Sequence, residues 1–88
     1  MLALMVSPLG RNRSGIPNRE VTKMRLALDI AGLKTDAIEA GKTNTFVLLV
    51  SFDSLEKYLE SESEIKTTLT PMTPLNLDFK LVESTKSS

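Results

Sequence analysis

Chemistry has few places to sit in this sequence, and the first is a loop. Gly10-Arg-Asn-Arg-Ser-Gly15 holds two glycines five apart with Arg11 and Arg13 between them, and Arg19 follows. A glycine-rich turn between a strand and a helix is where backbone amides converge on a phosphate, and arginines add bidentate donors. Gly10, Arg11, Arg13, Gly15 and Arg19 are therefore the candidate anion-binding residues. Against them, Ile16-Pro17 stands where a nucleotide-binding loop carries Lys and Ser/Thr, and Pro17 lacks an amide proton. The competing reading is a plain connector whose glycines serve turns. Gly41-Lys42-Thr43 repeats the ending of such a loop, but Asp36 occupies the position of its first glycine and a strand follows, so Gly41 reads as a helix stop.

Other reaction chemistry is mostly excluded. The chain has no histidine and no cysteine, which removes His-based triads, thiolate metal sites and disulfides. Glu56, Glu60, Glu62 and Glu64 cluster, but their spacing fits no calcium loop. A chain of 88 residues leaves little room for an enclosed carboxylate pair. The expectation is a non-enzyme without cofactor or metal.

Eleven basic and eleven acidic residues cancel, which argues against a strongly basic nucleic-acid binder. The charge is unevenly spread, because all four arginines lie in the first 25 positions and the second half is net acidic. That leaves open a small basic surface for phosphate or RNA, or a basic part of one subunit meeting the acidic part of another. The four aromatics Phe46, Phe52, Tyr58 and Phe79 are mostly core-like, which weakens the case for base stacking.

These residues must be positioned by a small core. Met1–Val6 is apolar but too short for a signal peptide, and Phe46–Val50 is far below the ~20 residues of a membrane span. A soluble, cytoplasmic chain is expected. Leu2–Val6 reads as a buried strand and residues 7–18 as loop. A helix capped by Asn18 runs to Gly32, which sits in the left-handed position with apolar Leu33 after it. Glu20 with Lys23 and Arg25 with Asp29 are helical pairs. Asp36–Ala40 reads as a short turn. Phe46–Phe52 is apolar at both parities and belongs in the middle of a sheet. Asp53-Ser-Leu-Glu56 opens a helix to about Ser61, with Leu55, Tyr58 and Leu59 as its apolar face. Ile65/Thr67/Leu69 and Leu75/Leu77/Phe79/Leu81 alternate as two strands of a hairpin.

The sum is a single small α+β domain over residues 1–82 with a flexible tail at 83–88. Its mixed four-stranded sheet has the order β-α-β-α-β-β, with Leu2–Val6 and Phe46–Phe52 parallel and two helices on one face. If the other face is bare, a second subunit is expected to cover it.

The first helix carries two apolar stripes. Val21, Met24 and Leu28 face the sheet, whereas Leu26, Ile30 and Leu33 need another cover. Leu26, Ile30 and Leu33, flanked by Arg25 and Asp29, are the candidate interface. The leading expectation is a protein-binding or assembly module acting through this helix face as a homodimer, with another protein as a further partner. The alternatives are a phosphate- or RNA-binding protein using the arginine loop, and an accessory or structural component of a viral, phage or organelle complex.

Overall fold

The computed structural model describes residues 2–10, 15–41 and 43–83. It contains strands β1 (Leu2–Pro8), β2 (Ile16–Pro17), β3 (Lys34–Glu39), β4 (Thr45–Phe52) and β5 (Leu77–Glu83), and helices α1 (Asn18–Ile30) and α2 (Leu55–Leu69), the latter followed by a 3-10 turn Thr70–Met72. The α+β class holds, as do two helices packed on one face of the sheet. The predicted order and the mixed four-stranded sheet do not: five strands follow the order β-β-α-β-β-α-β, and every pairing among the described residues is antiparallel.

β4 and β1 are the central strands, flanked by β3 and β5. β1 pairs with β4 from Leu2↔Phe52 to Val6↔Leu48. Beyond Leu48 its place beside β4 passes to β2, through Ile16↔Phe46. The parallel pairing predicted for Leu2–Val6 and Phe46–Phe52 fails because Lys34–Glu39 is a strand, not a turn. It forms a hairpin with β4, so the strand that α1 joins in parallel to β1 is β3, with β4 between them. α2 likewise joins β4 to β5 across β1, giving two interleaved split β-α-β units. Gly41 (φ 65°) and Asn44 (φ 63°) turn the β3–β4 hairpin in left-handed backbone, and Gly41 stops no helix. Thr45 closes the turn, donating its hydroxyl to the Ala40 carbonyl at 2.9 Å.

The core lies between this sheet and the helices. Leu4, Val6, Leu48, Val50 and Phe52 share one parity of the sheet, and Val21, Met24, Leu28, Tyr58, Ile65 and Leu69 meet them from α1 and α2. α1 ends as expected: the Leu33 amide donates to the Leu28 carbonyl and the Gly32 amide to that of Asp29, both at 2.9 Å, with Gly32 at φ 84°. That pair of bonds is the Schellman motif. At its start, however, Pro17 is the cap residue and Asn18 is already helical, its amide donating to the Asn44 carbonyl.

α2 is longer than predicted. Ser54, not Asp53, caps it by accepting from the Lys57 amide, and it runs on through Leu69 without an acidic break. Ile65 and Leu69 are four apart and fully buried, while Thr67 is exposed, so this stretch has a helix's period and the predicted terminal hairpin is absent. Tyr58 alone of the predicted apolar trio is buried, and Leu55 and Leu59 are exposed. Glu83, assigned to the tail, closes β5 opposite Leu2. The rest of that tail, residues 84–88, lies outside the described residues.

Candidate functional site

Alternation puts successive side chains of a strand on opposite faces. With one parity of the sheet committed to the helices, the other forms a surface on which no described helix packs. Its composition follows from the registers. Lys34, Ser51, Ala3 and Val82 make one row across β3, β4, β1 and β5, and Asp36, Leu49, Met5 and Lys80 make the next. Ile38 opposite Val47, and Ser7 opposite Asp78, complete a third. The middle of this open face is apolar, with Ala3, Met5, Val47 and Leu49 contiguous on the two central strands, and Ile38 and Val82 extend it to the edges. Ile38 is 54% exposed. Met5, Val47, Leu49 and Val82 are half-buried.

The charges sit at the two edges. Lys34 and Asp36 lie on β3, and Asp78 and Lys80 on β5. Asp36 and Lys80 are exposed, and neither makes an ion pair among the described residues. At the Ser7 end of the face a concavity is lined by Met5, Ser7, Gly10, Gly15, Val47 and Lys80, among others.

The segment that holds the predicted anion loop joins β1 to the short strand β2 and not directly to a helix. It leaves β1 at its end and returns as β2 along the same side of β4, reaching the helix only after that second pairing. Gly15 is buried at φ 80°, and a Cβ there would lie 2.9 Å from both the Ala40 Cβ and the Phe46 amide nitrogen, so close packing demands this glycine. Gly10 (φ 110°) has open space around its Cα. Arg19 is exposed in the first turn of α1. Arg11 and Arg13 lie outside the described residues.

The predicted helix interface is divided. Leu26 and Ile30 are 61% and 79% exposed, but Leu33 packs against the core beside Leu28. Arg25 does not pair with Asp29. It crosses to β3, where Nε donates to the Thr35 hydroxyl at 3.2 Å and Nη2 to the Thr35 carbonyl at 3.1 Å. Glu20 likewise leaves Lys23 aside and accepts from the Thr73 hydroxyl at 2.5 Å, tying α1 to the segment before β5.

The most polarised cluster is on α2. The Tyr58 hydroxyl donates to Glu62 Oε2 at 2.6 Å, and Lys66 Nζ lies 3.2 Å from the same oxygen. These residues are spaced four apart on one helix face. Hydrogen bonding to the Glu62 carboxylate, aided by burial and by the nearby negative charge, pushes the Tyr58 phenol up to about 12. The Tyr58 and Lys66 bonds hold the Glu62 carboxyl below its ordinary value. The phenol is therefore neutral at neutral pH, and the three side chains tie one another along the helix face. The Tyr58 ring meets Phe52 edge-on at 5.4 Å, and Lys66 reaches over Phe79.

Among the described residues no three His, Cys, Asp or Glu converge as a metal site, and no helix is long and apolar enough to cross a membrane. No protein-family model, curated protein or solved structure matches the chain.

Proposed function

We propose that the protein is a small non-enzymatic binding and assembly module that works as a homodimer, its docking surface being the open face of the sheet. The observation that carries this is the contiguous apolar centre of that face, Met5, Val47 and Leu49 beside the buried Ala3, on a side of the sheet free of described helices. An antiparallel sheet that faces water ordinarily alternates to polar side chains there, and a joined apolar patch marks an interaction site where scattered residues do not. The helix stripe supports the same function less well, since one of its three residues belongs to the core.

The size of the face sets the strength of the contact. Four strands about 4.8 Å apart, with three outward residues each, cover roughly 400 Å² in plan per copy. Two such faces together cover about 800 Å², below the ~1,200 Å² of stable interfaces and in the range of weak, transient ones, so the dimer forms in a concentration-dependent way. Sedimentation across the micromolar range tests this. The wild type is expected to pass from 9.7 kDa to twice that mass, and Leu49→Lys to remain monomeric with its helical circular dichroism intact. A wild type monomeric throughout, or a dimer indifferent to Leu49→Lys, overturns the reading.

A further inference from the structure

Given that the open face is an interface between two copies, as proposed above, we infer that the two-fold axis runs parallel to the strands and that Asp36 of one copy pairs with Lys80 of the other. Stacked sheets in close alignment can be related by an axis along the strands or by one across them. The two choices bring different edges together. An axis along the strands keeps each row opposite the same row of the partner but exchanges the edges, so that β3 faces the partner's β5.

In the middle row this sets Asp36 against the second copy's Lys80 at both ends, with Leu49 against Met5 between them. The outer rows do not separate the two axes: along the strands Lys34 meets a valine and Asp78 an isoleucine, and across them Lys34 meets an isoleucine and Asp78 a valine. An axis across the strands keeps each strand opposite its own copy. Asp36 would then face Asp36, and Lys80 would face Lys80, across a face whose centre excludes water. Like charges so placed select against an arrangement more strongly than opposite charges favour one. Asp36 and Lys80 are exposed and make no ion pair among the described residues, so both are available to set this orientation.

The chain has no cysteine, which makes the axis directly measurable. Facing sheets lie about 10 Å apart, beyond the reach of a disulfide, so the probe is a bifunctional maleimide spanning about that distance. Asp36→Cys and Lys80→Cys are prepared separately and then mixed. Covalent dimer is expected from the mixture and little from either variant alone. Asp36→Cys cross-linking to itself would place the axis across the strands and overturn the inference, as would dimers by sedimentation that the probe links in no combination. Loss of the dimer from the wild type would instead remove the underlying interface. Charge exchange gives an independent reading. Asp36→Lys or Lys80→Asp alone is expected to weaken association roughly tenfold, and the two together in one chain to restore it to within about threefold. Failure of the double variant to recover overturns the pairing even if the dimer persists.

Discussion

Tyr58 shows how one side chain serves the core and the surface together. Its ring is buried against Phe52 while its hydroxyl reaches Glu62, which also holds Lys66. The linkage has a defined sign. The phenol's pKa is raised on folding, so the stability it contributes is complete below its ordinary value of 10 and is lost as pH rises to about 12. The Glu62 carboxyl is lowered, so its contribution is present above its ordinary value of 4.5 and is lost as pH falls through the folded one. Tyr58→Phe keeps the ring contact and removes the hydroxyl. It is expected to cost about 1 kcal/mol at neutral pH and to abolish the extra loss of stability between pH 10 and 12. Urea unfolding of both proteins across that range checks it, and since Tyr58 is the only tyrosine and tryptophan is absent, ultraviolet titration reads the phenol alone. Equal alkaline slopes for the two proteins would mean that this hydrogen bond does not govern the titration.

At the scale of elements, legibility followed burial. Phe46–Phe52 was readable as a central strand because a run apolar at both parities suits little else, and the end of α1 because Gly32-Leu33 carries a specific backbone geometry. β3 was not readable. As an edge strand it has few inward residues, only Thr35 and Ala37 meeting the core side, and Asp36-Ala-Ile-Glu39 imitates a helix start. The second half of α2 imitates a strand because Ile65, Thr67 and Leu69 satisfy a period of two, while Ile65 and Leu69 alone satisfy a period of four. These readings differ in which residues they bury. A strand buries all three, whereas the helix buries Ile65 and Leu69 and exposes Thr67. Ile65→Ala is thus expected to cost about 2–4 kcal/mol, and Thr67→Ala to stay within about 0.5 kcal/mol. Chemical denaturation measures both, and a comparable loss from Thr67→Ala would contradict the helical assignment. The open face was half-readable for the same reason. Its central residues are visible as the second apolar parity of Phe46–Phe52, but its edges required β3, so the charges flanking it could not be placed.

For the whole molecule, two apolar surfaces compete to be the interface. The α1 surface presents Leu26 and Ile30 beside Thr22, Arg25 and Asp29. Two exposed aliphatics among polar neighbours are ordinary for a protein surface, since there is not enough polar area to cover a small domain. The sheet surface places its aliphatics side by side across two hydrogen-bonded central strands, so burying one buries its neighbours. It is also rigid, because β1 and β4 are paired on both sides, so little ordering entropy opposes association. These differences make the surfaces separable by one variant. Leu26→Gln with Ile30→Gln removes the helix stripe without adding charge near the helix C-terminus, where a carboxylate would itself destabilise. Both residues are already largely in water, so unfolding stability is expected to change by less than about 1 kcal/mol, and the sedimentation isotherm to overlay that of the wild type. If the double glutamine variant instead dissociates while Leu49→Lys remains dimeric, the helix is the interface, and the apolar sheet face must be covered by something other than a second copy packed against it.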